Sequence, residues 1–201
     1  MKYTYSEDPC PCVLLENVFD ETQLDEVWKE IDFIRLSYQS DTGGARDDDG
    51  KLMKNNNGMF LNEVFTSPDY SKIMKHTTQQ LFDNGWWHGI HHTWFGKMYG
   101  RMNHKSMLVS EYSDGGYYHP HSDFDVFTAL IWLWKEPKPF EGGDFYFVDR
   151  NKKITPENNS GIIFLGSEPH AVDEVKGDGR FVISTFITLS PDPKLRPKRQ
   201  T

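Results

Sequence analysis

The chain divides into a first part with the apolar spacing of helices and a second part with the alternation of strands. Apolar residues recur at helical intervals over residues 24–34, directly after Asp20. Asp20 and Gln23 have the spacing of a capping box, which predicts a helix that begins there and ends near Leu36. Residues 67–69 (Ser-Pro-Asp) predict a second helix start, because a cap, a proline and an acid follow one another. Its predicted buried residues are Ile73, Met74, Thr77 and Leu81, and its predicted end is Asn84-Gly85.

Short β-branched and aromatic runs begin at residue 106 and predict strands separated by turns. The runs are SMLVSEY, VFTALIWLW, GGDFYFV, GIIFLG and RFVISTFITL, and CVLLENVF predicts a further strand near the N-terminus. In RFVISTFITL a period of two places Arg180 and Ser184 on a mixed face, opposite a predominantly apolar one. In VFTALIWLW the same period groups Thr128, Leu130, Trp132 and Trp134 on one face. Helices followed by strands predict an α+β fold with helices on one face of a sheet.

We expect one domain over residues 1–201, with helical support and a loop in 1–105, the strand core in 106–190 and a basic tail in 191–201. Residues 37–58 are rich in Gly, Asn and Asp and have no periodicity, which predicts a long loop with at most one short hairpin. Loops of this length are usually functional or disordered. The acidic run 47–49 lacks the spacing of a calcium loop, so we expect it to be solvated.

The segment GWWHGIHHTWFGKMYGRMNH, residues 85–104, is rich in Trp, His and Gly. His88, His91 and His92 have no carboxylate in a defined geometry beside them, so the sequence favours aromatic packing beneath a sheet over a metal site. Cys10 and Cys12 could chelate a metal or form a strained disulfide, but we expect two reduced thiols without a chemical role.

Charge and composition exclude some functions. The net charge is −8, although the tail carries Lys194, Arg196, Lys198 and Arg199, so the rest of the chain is acidic and disfavours non-specific nucleic-acid binding. No apolar run approaches the ~18 residues that a membrane span needs. The N-terminus lacks the apolar stretch of a signal peptide, and only two cysteines are present. We therefore expect a reducing, cytoplasmic location and no membrane partner.

The strongest chemical signal is the stretch EYSDGGYYHPHSD, residues 111–123, which contains His121 and Asp123. In an extended segment residues i and i+2 project from the same side, so the two side chains can hold one metal ion. A third ligand could come from His170, in EPHAV, and Arg180 follows ten residues later. Two histidines and one carboxylate leave metal positions open, as in the facial triad of non-haem Fe(II) oxygenases.

This ordered set resembles the Fe(II)/2-oxoglutarate-dependent dioxygenases, and among them the prolyl 4-hydroxylase-like branch. The resemblance covers residues 112–189, about two-fifths of the chain. It rests on the residues Tyr112 and Gly116, the HSD triplet at 121–123, Gly142-Gly143, the run GIIFLGSEPH that ends at His170, and Arg180.

The resemblance implies a double-stranded β-helix (jelly-roll) core, with Fe(II) held by His121, Asp123 and His170. It further implies that Arg180 binds the distal carboxylate of 2-oxoglutarate, that O2 takes the remaining metal position, and that ascorbate is bound as a further cofactor. Tyr112, Trp132 and Ser184 are expected to line the cosubstrate pocket. Trp132 departs from the family, which often has a tyrosine donor near that position, and Val182 stands where some relatives have serine. Both departures concern the cosubstrate pocket, and the triad is unaffected.

The implied function is hydroxylation of an aliphatic carbon, with a prolyl residue of a protein or peptide favoured and a free amino acid or other small metabolite as the alternative. Nucleic-acid demethylation is disfavoured, because such enzymes of this superfamily have a second arginine six residues after the first, where this chain has Phe186. Two other classes stay open. A zinc hydrolase would not explain Arg180, and a non-catalytic β-sandwich module would need none of the four residues.

For the substrate, we expect the loop 38–58 to border the mouth of the site. We also expect Tyr117, Tyr118 and Trp134 to wall a groove for a peptide, because aromatic faces can stack on a proline ring. The acidic residues of the loop favour a cationic substrate.

Overall fold

The computed structural model describes residues 1–40, 46–47 and 49–190 of the 201-residue chain. The strands are β1 (Lys2–Ser6), β2 (Cys12–Glu16), β3 (Gln39–Ser40), β4 (Lys54–Asn55), β5 (Asn57–Phe60), β6 (His104–Tyr112), β7 (Tyr117–His121), β8 (Phe127–Leu133), β9 (Phe140–Gly142), β10 (Phe145–Phe147), β11 (Lys152–Ile154), β12 (Ser160–Leu165), β13 (His170–Val172), β14 (Val175–Gly177) and β15 (Arg180–Thr188). The α-helices are α1 (Glu21–Ile34), α2 (Leu61–Val64), α3 (Lys72–Thr78) and α4 (Trp94–Tyr99).

Two antiparallel sheets form the body of the fold. The larger has eight strands in the order β1-β2-β12-β8-β15-β6-β5-β3, and the smaller has five in the order β11-β10-β13-β7-β4. A two-stranded sheet of β14 and β9 completes the described strands. The central strand of the large sheet, β15, pairs with β6 on one side and with β8 on the other. Its predicted alternation is therefore fixed on both edges, because a slip of one residue would reverse both faces.

The two faces of the large sheet bury two separate apolar clusters. One cluster, here called the helical core, packs Ile183 of β15 and Ile131 of β8 against Val27 and Ile31 of α1 and Ile73 of α3. The other, the inter-sheet core, packs alternate residues of the large sheet against the smaller one. Its members include Leu130, Trp132, Phe145, Phe147, Phe164 and Val182. Helices thus cover one face and the second sheet covers the other, which confirms the α+β prediction.

The first predicted helix is confirmed at its start. The Asp20 side chain accepts a hydrogen bond from the Gln23 backbone, and the Gln23 side chain accepts one from the Asp20 backbone, which closes the capping box. The second helix starts later than predicted. Ser67 caps a short 3-10 turn, and α3 begins only after Ser71, whose side chain accepts from the Met74 backbone. The predicted buried residues Ile73, Met74, Thr77 and Leu81 are all buried.

The prediction of a long loop over residues 37–58 is wrong where β3, β4 and the start of β5 lie in this segment. β5 pairs with β6 inside the large sheet, and β4 pairs with β7 beside the predicted metal pair. Gly58 is required there, because a Cβ would lie 2.2 Å from the Val109 carbonyl oxygen. Tertiary pairing overrides the polar composition, since each strand has a preformed edge to join. The acids at 41 and 48 and the tail 191–201 lie outside the described residues.

The Trp- and His-rich segment packs as predicted. Trp86, Tyr99 and Phe95 form an aromatic cluster against Phe127 of β8, beneath the large sheet. His88, His91 and His92 are exposed at its surface. Cys10 and Cys12 are both buried free thiols. Among the described residues, no helix combines the length and apolarity needed to cross a membrane.

Candidate active site

The smaller sheet brings the three candidate ligands together. His121 ends β7 and His170 begins β13, and the two residues face each other in the register of these paired strands. Asp123 follows two residues after His121, and its backbone N–H donates to the Gly166 carbonyl at 2.7 Å. This bond anchors the turn after β7 to the turn before His170. Residues 49 positions apart in sequence are therefore fixed on one surface by backbone pairing.

The candidate ligand atoms converge without filling the space between them. Asp123 Oδ1 lies 3.9 Å from His121 Nε2, and Asp123 Oδ2 lies 3.7 Å from His170 Nε2. The ligand atoms all lie within 4.8 Å of one another, and among the described residues this is the one group of three or more His, Cys, Asp or Glu side chains that does so. Metal–nitrogen and metal–oxygen bonds of about 2.0–2.2 Å fit such a triangle.

Both imidazoles are oriented by the backbone. His121 Nδ1 lies 2.8 Å from the His119 carbonyl oxygen, and His170 Nδ1 lies 2.9 Å from that of Glu168. Carbonyl oxygens only accept, so each Nδ1 carries the proton and each Nε2 presents its lone pair to the shared space. Such outer partners set the tautomer of metal-binding histidines. Thr128 donates its hydroxyl proton to Asp123 Oδ2 and orients the carboxylate in the same way.

Burial keeps the histidines neutral. It lowers the pKa of His121 to about 4, with the neighbouring His170 as a further cause, and lowers the pKa of His170 to about 4. Burial also raises the pKa of Asp123, while the Thr128 hydrogen bond opposes that change. At neutral pH the site therefore offers two neutral imidazole nitrogens and a carboxylate. This donor set suits a divalent transition metal with open coordination positions.

Arg180 lies at the floor of the same cavity and is fully buried. Its Nε donates to the Gly143 carbonyl at 3.0 Å, and its guanidinium carbon lies 4.8 Å from the centre of the Tyr112 ring. Its two terminal nitrogens are buried and have no hydrogen-bond partner. Burial lowers the pKa of Arg180 to about 10, so the group stays charged at neutral pH. Burial of a charged guanidinium without a hydrogen-bond partner costs free energy of folding. A carboxylate that accepts two hydrogen bonds from the guanidinium is the ligand that matches it.

Gly143 makes room for that guanidinium. Its φ of +69° favours glycine, and an added Cβ would lie 2.7 Å from Arg180 Cδ. The Gly142-Gly143 pair therefore does two things, because it turns the chain and lets the Arg180 stem pass close to the backbone.

The cavity has a volume of about 140 Å³, enough for a small acid. Every site residue predicted from the sequence lines it, namely His121, Asp123, His170, Arg180, Tyr112, Trp132 and Ser184. The donor triad and the unpartnered guanidinium fit Fe(II) and 2-oxoglutarate respectively. These roles stay predictions.

Two expectations about position are wrong. Trp134 does not wall the cavity. It packs on Phe140, and its Nε1 donates to Glu136 Oε1 at 3.0 Å. Tyr117 packs on the His119 ring, and of the three predicted groove aromatics only Tyr118 lines the cavity among the described residues.

Other residues of the site were not predicted from the sequence. Thr128 was placed on the correct strand face, but its bond to Asp123 depends on the turn between β7 and β8. Lys54 and Asn56 also line the cavity and are buried, although their polar, Asn-rich surroundings predicted a loop. No local signal distinguishes them, because their position follows from the pairing of β4 with β7.

The comparisons with known proteins agree with this geometry. Residues 107–188 match the model of the 2OG-Fe(II) oxygenase superfamily, and this segment contains the triad and Arg180. No curated protein sequence matches the chain.

Solved prolyl hydroxylases resemble the chain in structure. The viral collagen prolyl hydroxylase from Paramecium Bursaria Chlorella virus-1, in its 2OG complex, is 14% identical, with a TM-score of 0.59, 88% of this chain covered and 94% of that one. The Trichoplax adhaerens prolyl hydroxylase, in complex with a hypoxia inducible factor peptide fragment, is 14% identical, with a TM-score of 0.64. The alignment covers 93% of this chain and 87% of that one. A Pseudomonas putida prolyl-4-hydroxylase is 12% identical, with a TM-score of 0.55, and the alignment covers 89% of this chain and 92% of that one. These likenesses show the fold and confirm the predicted double-stranded β-helix.

Proposed function

We propose that this chain, whose residues 107–188 match the model of the 2OG-Fe(II) oxygenase superfamily, is an Fe(II)- and 2-oxoglutarate-dependent dioxygenase that hydroxylates a prolyl residue in a protein or peptide. One observation carries the proposal. The triad of His121, Asp123 and His170 and the unpartnered guanidinium of Arg180 line one small cavity. A metal site alone would not require the buried arginine.

Each group has a separate task. The two Nε2 atoms and the Asp123 carboxylate would hold Fe(II) on one side and leave its other positions open. Arg180 would pair with the distal carboxylate of 2-oxoglutarate and so fix the orientation of the cosubstrate. When bound, Fe(II), 2-oxoglutarate and O2 supply the oxidation, in which a substrate C–H becomes C–OH and 2-oxoglutarate becomes succinate and CO2.

The chain itself controls position and water. Thr128 and the carbonyls of His119 and Glu168 hold the triad in the geometry that binds metal. Leu130, Val172 and Val182 form apolar walls of the same cavity, and such walls exclude water from a reactive site. Tyr112 places its ring against the guanidinium and stabilises the charge that burial disfavours.

The prolyl substrate is supported by the structural neighbours. One of them is described as a collagen prolyl hydroxylase, and another is bound to a hypoxia inducible factor peptide. A peptide partner for this chain is therefore the favoured proposal over a free amino acid. A role for ascorbate stays a prediction from the family resemblance.

The test is succinate formation by the purified full chain with Fe(II), 2-oxoglutarate and O2, against panels of proline-containing peptides and free amino acids. We expect succinate to form in step with a hydroxylated peptide, and a chelator or Asp123→Asn to abolish both products. Hydroxylation of a free amino acid alone would refute the peptide half of the proposal. Zinc-dependent hydrolysis without consumption of 2-oxoglutarate would refute the dioxygenase itself.

A further inference from the structure

A second cavity lies on the outer side of the triad. Its volume is about 460 Å³, and it shares Phe60, Tyr118, His121, Asp123 and Phe186 with the inner cavity. Arg180 and Tyr112 line only the inner cavity among the described residues. The metal ligands therefore separate two spaces of different chemistry, and the proposed cosubstrate accounts for only the inner one.

The outer cavity has aromatic walls and a polar rim. Phe60 and Phe186 come from β5 and β15, and their ring centres lie 6.4 Å apart. Tyr118 is stacked on the His121 ring, with centres 3.5 Å apart. Polar side chains surround these rings, namely Arg46, Ser106, Ser122 and Asp125. Apolar anchors inside a polar rim are typical of sites that bind another chain.

Phe124 is the exceptional residue of this cavity, because it is fully exposed and yet lies next to a metal ligand. It makes no ring contact within the described part of the chain. Most exposed aromatic residues need no explanation, but this one adjoins reacting groups.

The exposure of Phe124 does not arise from a free loop tip. The backbone of Asp123 donates to the Gly166 carbonyl at 2.7 Å, and the Gly166 N–H donates to the Val126 carbonyl at 3.2 Å. Both flanks of Phe124 are therefore bonded to the turn before β13. The fold therefore fixes the backbone that presents Phe124 at the edge of the proposed metal site, and an anchor residue on an ordered backbone suits the binding of a ligand.

We propose that the outer cavity is the substrate subsite and that Phe124 is its specificity-determining residue, which packs against the prolyl ring of an extended peptide. The inference rests on the proposed function. Phe60 and Phe186 would form the opposite wall, so that the ring is held between aromatic faces beside the metal. Phe124 projects beyond the cavity, so a bound peptide could contact its ring with the residues that flank the proline. A free amino acid has no such residues and would leave most of the Phe124 ring exposed to solvent.

The test compares Phe124→Ala, Phe124→Trp and Phe33→Ala in the full chain with Fe(II) and 2-oxoglutarate. The substrate probe is a synthetic peptide of repeating Pro-Pro-Gly triplets, with free L-proline as a second probe. Phe33 is the matched control, because it is also an exposed phenylalanine (72%) but lies on α1, among residues of a different surface pocket. Peptide KM, 2-oxoglutarate KM and kcat are measured for each variant.

We expect Phe124→Ala to raise the peptide KM about tenfold or more, from the lost burial of an apolar ring. We expect Phe124→Trp to restore most of the binding, and Phe33→Ala to match the wild type. The 2-oxoglutarate KM should be the same in all variants.

Two results would overturn the inference in distinguishable ways. If the wild type hydroxylates the peptide and Phe124→Ala has an unchanged peptide KM, the subsite is wrong while the proposed function stands. If the wild type consumes 2-oxoglutarate but hydroxylates only L-proline or neither probe, both the prolyl-peptide proposal and the subsite fail.

Discussion

The two faces of β15 differ in how their polar groups are used. On the face toward the helices, Phe181, Ile183 and Ile187 are buried in the helical core, with one polar residue, Thr185, among them. On the face toward the smaller sheet, Arg180 and Ser184 alternate with Val182 and Phe186 along the cavity. One strand thus supplies packing on one side and chemistry on the other. Because side chains alternate strictly, neither face constrains the residue choice of the other.

Each face of β15 contains buried polar groups that have no hydrogen-bond partner, but the two cases have different explanations. On the site face, the terminal nitrogens of Arg180 lack partners although they are buried, and a ligand explains them. On the helical face, the Thr185 hydroxyl also lacks a partner, but its neighbours on that face belong to the helical core, and Thr185 lines neither of the two cavities beside the triad. A buried polar group without a hydrogen-bond partner therefore indicates a ligand site on one face of β15 and only a stability cost on the other. Mutations on the site face should change activity, and mutations on the helical face should change stability.

The largest expected effect is from His121→Ala. Removal of one of three ligands should abolish metal-dependent turnover. The free energy of unfolding should change by no more than about 1 kcal/mol, because this residue lies outside both apolar cores. Turnover of 2-oxoglutarate and chemical denaturation check the two halves of the prediction. Wild-type turnover in this variant would exclude His121 as a ligand.

Next is Arg180→Ala, which should raise the 2-oxoglutarate KM on the order of 100-fold while Fe(II) affinity stays close to that of the wild type. Arg180→Lys should recover only part of the loss, because an ammonium lacks the planar fork. Arg180→Met keeps most of the stem volume and controls for packing. Equal losses of iron and cosubstrate affinity in all three would indicate a structural arginine.

A smaller effect is expected from Thr128→Val, which removes the hydroxyl that donates to Asp123 but keeps the shape of the side chain. Metal affinity should fall about 10–100-fold, as is usual when the outer partner of a metal ligand is lost. The measurement is an Fe(II) titration under anaerobic conditions. An unchanged affinity would show that the hydrogen bond does not orient the carboxylate.

The smallest effect, with the opposite sign, is expected from Thr185→Val. This change removes an unpartnered buried hydroxyl on the helical face, so the free energy of unfolding should rise by about 1 kcal/mol. Activity per folded molecule should not change. Loss of stability in this variant would mean that the hydroxyl has a partner, and the contrast between the two faces would then fail.

Strong alternation and ordered chemical motifs made part of the molecule predictable. The period-two pattern of RFVISTFITL identified both faces of β15, because both edges of that strand are paired and its register cannot slip. The order of His121, Asp123, His170 and Arg180 along the chain identifies the candidate site, because the binding of a metal and of a carboxylate restricts which residue types can fill those positions.

Other features depend on contacts that no local pattern contains. β4 and β5 lie in a segment rich in Asn and Gly, and they become strands only because β7 and β6 offer edges to them. β1 was not predicted either, because its burial pattern is mostly exposed and its pairing with β2 supplies the order. The burial of Arg180 and the position of Trp134 away from the cavity follow from how the two sheets pack together.

The most direct test of the central claim is an anaerobic crystal structure of the full chain with Fe(II) and 2-oxoglutarate. We predict an iron anomalous peak among His121 Nε2, His170 Nε2 and an Asp123 carboxylate oxygen, with one carboxylate of 2-oxoglutarate paired to the terminal nitrogens of Arg180. Iron at another site, or a cosubstrate that leaves Arg180 without a partner, would contradict the account.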